Sequence, residues 1–247
     1  MAQLMFYEKP VPLNKEAHKN LKIAPNKDGF NFARKTNSVL LSGMEFVHAA
    51  KEYPIIFIKA ADNVLPVVLL GFRQDENLFV KEDGQWDAKY IPAFVRRYPF
   101  VLAQAPGGDD STDEKLAVCI DESFSGLSTE EGTSLFDEDG NSTELLESAI
   151  NFLKDYQAQY QRTEIFVNRL KDLELLTAYT ASAELTDGEK ISIGGLMVVD
   201  EKKLMELEKT KAMELFRSGE LGWIYAHLLS LSNINDVMGR IALKPAE

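Results

Sequence analysis

Tyr90-Ile-Pro-Ala-Phe-Val-Arg-Arg-Tyr-Pro-Phe100 is the densest mixture of apolar, aromatic and cationic residues in this chain of 247 residues. Pro92 and Pro99 each lack a backbone donor, and each drives the residue before it towards an extended conformation. Apolar residues continue past the Arg-Arg-Tyr-Pro interruption to residue 103. The pattern predicts an extended segment, an edge strand or a bent strand, packed against a mostly antiparallel sheet.

Two adjacent arginines in this stretch define the candidate binding site. Consecutive residues of a strand face opposite sides, so at most one of Arg96 and Arg97 would line a pocket. One interpretation is that both guanidinium groups are solvated or paired with the many carboxylates of the chain. The other is that one of them, with aromatic side chains nearby, binds an anionic or peptide ligand. The candidate contact residues are Trp86, Tyr90, Arg96, Arg97 and Tyr98.

Composition and charge are those of an ordinary folded protein and disfavour some ligand classes. The 27 basic and 39 acidic side chains leave a formal net charge of −12, which argues against binding to nucleic acid or anionic lipid. No apolar run approaches the ~20 residues that span a bilayer, and the first ten residues show no secretory signal. The single cysteine, Cys119, cannot form an internal disulfide. We therefore expect a cytoplasmic protein that does not insert into membranes.

The first 140 residues are predicted to be rich in strands. Ser42 and Glu45 have capping-box spacing and predict a short helix that ends before Pro54. The apolar runs are short, closely spaced and separated by turn signals such as Asp83-Gly84, which favours antiparallel pairing. The acidic stretch at residues 105–114 predicts an exposed loop. The predicted strands are residues 39–42, 55–60, 64–72, 78–80, 94–103 and 116–120.

From residue 141 onwards the apolar residues recur at helical spacing. Asn141 with Glu144 forms a second capping-box pattern, and Thr163 is predicted to cap a further helix. Asp200 is predicted to cap a long helix that ends at Gly219. The last predicted helices are residues 220–231 and 236–243.

A predicted β-hairpin interrupts these helices and completes the fold class. Residues 177–185 and 190–199 read as two strands joined by the turn Thr186-Asp-Gly-Glu189. The chain is therefore predicted to be α+β, with a strand-rich, mostly antiparallel N-terminal half packed with a helix-rich C-terminal half. Residue 140 is the natural seam, but no Pro/Ser/Gly linker lies there. We expect a single composite domain of residues 1–247.

Residue types that often act in catalysis or bind metals are present, but they do not occur at the spacing of known catalytic or metal-binding motifs. His18, His48 and His227 are isolated from one another, so no zinc signature is present, and His227 is expected to be a core or boundary residue. The sequence contains no P-loop, GxGxxG or GxSxG motif. Cys119 lies in an apolar run and is expected to be buried and inert. Residues 137–144 are too short for a calcium loop. We expect no catalytic residue, metal site or cofactor.

A set of short motifs extends through most of the chain. They are Glu45-Phe46 with Ala49-Ala50, Glu52-Tyr-Pro-Ile-Ile-Phe57, Asn77-Leu-Phe-Val80, Gly84-x-Trp86, Tyr90-Ile-Pro-Ala93, Arg96-Arg-Tyr-Pro-Phe100 and Ala226-His-Leu228. With this spacing, the chain from about Pro12 to about Arg240 resembles the SapC family of bacterial proteins. That family is named for a gene beside surface-layer secretion genes, and other members sit near halogenase-like, cupin-like and outer-membrane receptor genes. The resemblance implies no particular enzyme activity.

Two functions are compatible with these observations. The first is a non-catalytic cytoplasmic accessory protein that recognises a peptide or protein partner, and the resemblance implies surface-layer or secretion-linked biology. The alternative is an enzyme or enzyme helper acting on amino-acid or peptide-derived metabolites. In that case Arg96 or Arg97 would hold a carboxylate, and Asp121 or Glu122 would transfer protons. A structural subunit of the surface layer is disfavoured, because no export signal is visible.

Overall fold

The strands form three antiparallel sheets in the part of the chain that the structure describes. The computed structural model describes residues 5–61, 63–104, 116–184 and 190–242. The strands are β1 (Pro10–Pro12), β2 (Lys22–Ile23), β3 (Ser38–Leu40), β4 (Ile55–Ala60), β5 (Asn63–Leu69), β6 (Phe100–Gln104), β7 (Leu116–Asp121), β8 (Leu127–Ser128), β9 (Thr133–Ser134), β10 (Leu176–Glu184) and β11 (Lys190–Val199).

Helices are concentrated after residue 143. The α-helices are α1 (Phe46–Ala49), α2 (Ala93–Arg96), α3 (Glu144–Asp172), α4 (Glu201–Met205), α5 (Lys209–Ser218), α6 (Glu220–Ser230) and α7 (Ile234–Ala242). Short 3-10 turns occupy Asn31–Ala33, Gly43–Glu45 and Leu231–Asn233. Antiparallel sheets together with several helices confirm the predicted α+β class.

The chain divides into two compact units, each assembled from two segments of sequence. Residues 1–32 and 96–157 form the first unit, and residues 33–95 and 158–247 form the second. Each unit therefore contains residues from both sides of residue 140. The single composite domain stays a prediction.

The first unit contains two three-stranded sheets, ordered β1-β7-β6 and β8-β2-β9. Strand β7 is central to the first sheet and pairs along β6 from Phe100↔Ile120 to Gln104↔Leu116. Strand β1 carries two prolines and lies at the sheet edge, where a missing N–H removes no ladder bond. The hydrophobic core joins this sheet to the first turns of α3 through Phe100, Ile120, Leu135, Phe136, Leu146 and Leu153.

The second unit is built on a five-stranded sheet ordered β10-β11-β4-β5-β3. The fully buried side chain of His227, on α6, is hydrogen-bonded to two of its strands. Its Nε2 accepts the Val199 N–H at 3.0 Å, and its Nδ1 donates to the Ile55 carbonyl at 2.8 Å. Burial lowers the pKa of His227 to about 4, so the ring is neutral at pH 7. The prediction of a core histidine is confirmed.

The segment that was predicted to be extended is helical at its centre. Helix α2 occupies Ala93–Arg96, residues 97–99 form a turn, and β6 begins only at Phe100. The predicted strand over residues 94–103 is therefore wrong before residue 100. A strand at residues 78–80 is also wrong, because only Val80 forms a bridge.

Two facts explain the helical turn at residues 93–96: the prolines restrict the backbone of only one neighbouring residue each, and a carboxylate distant in sequence caps the turn. Pro92 and Pro99 restrict only the residues immediately before them, which leaves the residues between free to adopt helical angles. The Glu45 carboxylate accepts the Ala93 N–H at 2.7 Å. It thereby satisfies one of the donors that the first turn of a helix leaves unpaired. Glu45 lies 48 residues away in sequence, so no local pattern indicates this cap.

Three further predictions about the helices are wrong. Thr163 does not cap a helix but lies inside α3, where its hydroxyl donates to the Gln159 carbonyl at 2.6 Å. Asn141 does not cap α3; its N–H donates instead to the Asp137 carboxylate at 2.8 Å. The long helix predicted after Asp200 is two helices, α4 and α5.

Several local signals are confirmed. The Ser42 N–H and hydroxyl both donate to Glu45, at 3.0 and 2.9 Å. Asp200 accepts the N–H groups of the first turn of α4, and Gly219 ends α5 with a φ of 80°. Strands β10 and β11 pair antiparallel as predicted. The turn at residues 186–189 and the loop at residues 105–114 lie outside the described residues. No helix in the described ranges has the length and apolar character needed to cross a bilayer.

Candidate ligand-binding site

Aromatic side chains from four separate segments meet in the first unit. Tyr98 stacks on Phe32, with ring centroids 4.1 Å apart and an interplanar angle of 23°. Phe124 meets Tyr98 edge-on at 5.5 Å, and Phe6 meets Phe32 edge-on at 5.3 Å. Stacked and edge-on pairs are the preferred geometries of aromatic rings. The four rings therefore form one ordered cluster, which we call the aromatic cluster.

A cleft of about 210 Å³ opens beside the aromatic cluster. All four rings of the cluster line it, and Phe6, Phe32 and Tyr98 are only half-buried. The polar side chains that line it are Glu8, Asn26, Asp28, Asn31, Ser123 and Ser125. The cleft thus combines aromatic rings with polar and acidic side chains, and polar groups of this kind fix the orientation of a ligand in a binding site.

Phe6 adopts a backbone conformation that bulky side chains rarely occupy. Its φ is 79°, in the left-handed region. Such a conformation is unfavourable by about 1–3 kcal/mol and persists only where surrounding contacts impose it. Here the edge-on contact with Phe32 is one such contact.

A buried carboxylate, Asp121, connects the end of β7 to the chain before β1. It accepts the N–H groups of Glu8 and Lys9, both at 2.9 Å, and both the N–H and the hydroxyl of Ser123, at 3.1 and 2.8 Å. Burial by itself would raise the pKa of Asp121, but these hydrogen bonds hold it below its ordinary value. The carboxylate is thus charged at neutral pH and fixes the segment that carries Glu8.

The phenol of Tyr98 lies in the field of this carboxylate. Burial, the charge of Asp121 and the charge of Glu8 raise the pKa of Tyr98 to about 12. The group is therefore a neutral donor at physiological pH. Asp121 and Glu8 thus place negative charge near this phenol.

Of the five residues predicted to contact a ligand, three lie in the first unit. Tyr98 lines the cleft. Arg97 is half-buried between Tyr7 and Tyr156, with its guanidinium carbon 5.9 and 5.3 Å from the two ring centroids. Arg96 is exposed and lies 5.1 Å from the ring centroid of Phe152. Tyr7 also meets Tyr98 edge-on at 5.4 Å, so Arg97 and Tyr98 share one neighbour.

The other two predicted residues, Trp86 and Tyr90, lie in the second unit. The Trp86 indole is buried and donates to the Tyr53 hydroxyl at 2.7 Å, and that hydroxyl donates to the Tyr90 carbonyl. The Tyr90 hydroxyl donates to Glu45 at 2.8 Å. Both side chains thus take part in the internal hydrogen bonding of this unit.

The cleft contains residues that sequence patterns did not indicate. Phe6, Phe32 and Phe124 lie in other segments of the sequence, at no regular spacing from the motif Arg96-Arg-Tyr-Pro-Phe100. The pairing of β1, β7 and β6 brings together the segments that carry Phe6, Phe124 and Tyr98. The aromatic alternation in Phe30-Asn-Phe32 is the one local signal that pointed towards this cluster.

The groups proposed for proton transfer are poorly suited to it. Asp121 has its oxygen atoms occupied by donors. Glu122 is exposed and paired with Lys9 at 2.6 Å, and the hydrogen bond from Lys9 lowers its pKa. Burial raises the pKa of Cys119, as expected for an inert thiol. In the described ranges, no three His, Cys, Asp or Glu side chains are grouped as metal ligands.

Comparison with known proteins yields one match. The model of the SapC family matches residues 13–237, nearly the whole chain. No curated protein matches the chain, and no solved structure does.

Proposed function

Because this chain belongs to the SapC family, we propose that it is a non-catalytic accessory protein that binds a peptide or protein partner. The observation that carries the proposal is the cleft beside the aromatic cluster. Its half-buried rings supply apolar area for a side chain of the partner, and the exposed carboxylates of Glu8 and Asp28 can accept hydrogen bonds from the partner. Rigid aromatic groups are favoured in recognition surfaces because they lose little conformational entropy on binding.

The proposed biological role and cellular location rest on the family resemblance and on the cysteine content rather than on the cleft. The family resemblance suggests surface-layer or secretion-linked biology. The single cysteine favours the cytoplasm, because a chain with one cysteine gains no internal disulfide from an oxidising compartment.

We propose Tyr98 as the central contact, with the exposed Arg96 as a second contact for the partner.

The alternative, an enzyme acting on amino-acid or peptide-derived metabolites, has weaker support. It depends on Asp121 or Glu122 moving a proton. A general acid or base works best with a pKa near the working pH, whereas both carboxylates have lowered pKa values.

Replacing Tyr98 with alanine is expected to weaken peptide binding by about ten-fold or more, because it removes an aromatic ring that lines the cleft and stacks on Phe32. Peptides would be selected from a random display library with the full chain, and their affinities would be measured by calorimetry. Tyr225→Ala is the matched control, since Tyr225 is exposed on α6 in the second unit. It is expected to leave affinity unchanged.

A second variant keeps this test decisive if Tyr98→Ala fails to fold. Asn31 is exposed and lines the cleft, so Asn31→Arg fills the space without altering the aromatic cluster. Loss of binding in Asn31→Arg supports the proposal. Unchanged affinity in both folded variants, or failure to select any peptide, contradicts it.

A further inference from the structure

The charged side chains that line the cleft are all acidic. Glu8 and Asp28 are both exposed at its rim, and among the described residues that line it there is no Lys, Arg or His. Lys9, the cation next to Glu8 in sequence, is paired with Glu122 at 2.6 Å. The carboxylate of Asp121 interacts electrostatically with Tyr98 and adds a third negative charge near the cleft. An anionic ligand would be repelled from this cleft.

The aromatic rings add attraction for the opposite charge. The face of an aromatic ring carries partial negative charge and attracts a Lys or Arg side chain that lies over it. Carboxylates at the rim of such a cleft give the cation a charged partner as well. Aromatic rings flanked by carboxylates therefore select cations over neutral groups of the same shape.

The polar groups of the rim do not favour an anion either. The Asn26 amide donates to the Gly29 carbonyl at 2.5 Å, and its oxygen accepts the Asp28 N–H at 3.1 Å and the Ser125 hydroxyl at 3.1 Å. The Ser123 hydroxyl donates to Asp121. These donors already have partners within the protein, so their contribution to an anionic ligand is small.

The size of the cleft limits the ligand to one side chain. Sites for drug-sized molecules have volumes of about 300–1,000 Å³, whereas this cleft has about 210 Å³.

The net charge of the chain, −12, also attracts basic partners over a longer range.

We propose that this cleft binds a cationic side chain, lysine or arginine, of a peptide partner. This inference rests on the proposed binding function and deepens it. The side chain lies along the aromatic cluster, and its charged end is held between Glu8 and Asp28. The rest of the partner lies outside the cleft.

Four blocked pentapeptides test the inference, each with glycine at the flanking positions and with lysine, arginine, norleucine or glutamate at the centre. Binding to the full chain is followed through the amide NMR signals of the cleft. We expect the lysine and arginine peptides to bind about ten-fold more tightly than the norleucine peptide. We expect the glutamate peptide to bind more weakly still. Added salt is expected to reduce only the cationic affinities.

Isosteric variants test whether the carboxylates at the cleft cause the preference for cationic peptides. Glu8→Gln and Asp28→Asn change exposed side chains and are expected to remove most of the preference for arginine over norleucine, while norleucine affinity stays the same. Glu122→Gln is the matched control, because Glu122 is acidic and close in the fold but does not line the cleft.

The outcomes separate the two proposals. If norleucine binds as tightly as arginine, or glutamate binds best, the cationic preference is wrong and the binding function stands. If no peptide shifts the cleft signals at millimolar concentration, the cationic preference and the proposed function are both contradicted.

Discussion

Asp121→Ala is expected to lower the free energy of unfolding of the first unit by about 3 kcal/mol. The substitution removes the acceptor for the N–H groups of Glu8, Lys9 and Ser123 and for the Ser123 hydroxyl. These donors lose a charged partner, and such hydrogen bonds are the stronger ones. Denaturant unfolding followed by circular dichroism measures the change. Hydrogen exchange is expected to show loss of protection at the amides of Glu8 and Lys9.

Two controls sharpen this prediction. Asp121→Asn keeps one acceptor oxygen and is expected to destabilise less, by about 1 kcal/mol. Glu122→Gln, at an exposed neighbour, is expected to change stability little. An Asp121→Ala variant as stable as the unmodified protein would show that the carboxylate does not hold the segment before β1.

The stabilisation by Asp121 also depends on pH. The pKa of its carboxyl is lowered in the folded state, so the unfolded chain binds the proton more readily. The contribution is therefore complete above the ordinary pKa of about 4 and is lost as the pH falls through the lower, folded value. The Asp121→Asn variant is expected to lack this component of acid sensitivity.

Gly43→Ala is expected to destabilise the second unit by about 3 kcal/mol. A Cβ atom at position 43 would lie too close to three atoms of the Trp223 ring. That ring is confined by Phe46 and Phe166, with centroids 6.3 and 5.2 Å away. The Gly43 N–H also donates to the Thr163 hydroxyl at 2.9 Å, which fixes the backbone at this contact. The indole and the backbone cannot separate without disturbing this core.

Gly222→Ala is the matched control for the second prediction. Gly222 precedes Trp223 on α6, and a Cβ there meets nothing within 4 Å. Because alanine favours a helix over glycine, this variant is expected to be unchanged or stabilised by up to about 1 kcal/mol. Urea unfolding followed by tryptophan fluorescence compares the two, since both tryptophans lie in this unit. Equal stability of the two variants contradicts the close packing at Gly43.

Predictions from the sequence succeeded where the determining contacts are local. The Ser42–Glu45 capping pair acts over three residues, and strand β4 is predicted at its observed bounds. They failed where a distant residue decides the structure. Helix α2 is capped by Glu45 from 48 residues away, and a strand was predicted there.

The cleft shows the same limit. Tyr98 was identified because it lies in an unusual aromatic and cationic stretch. Phe6, Phe32 and Phe124 were not, because their proximity depends on tertiary structure rather than on spacing along the chain. Asp121 was considered as a proton-transfer group, but the four hydrogen bonds that it accepts make it a positioning group.

The most direct test of the binding function is the position of a bound cationic peptide. An arginine peptide carrying a nitroxide label would be titrated into the isotope-labelled chain, and broadening of the amide NMR signals would be recorded. We predict the strongest broadening in the segments 26–31 and 123–125, which contribute most of the residues that line the cleft. Strongest broadening in the second unit, for example around Tyr90, would contradict the assignment of recognition to this cleft.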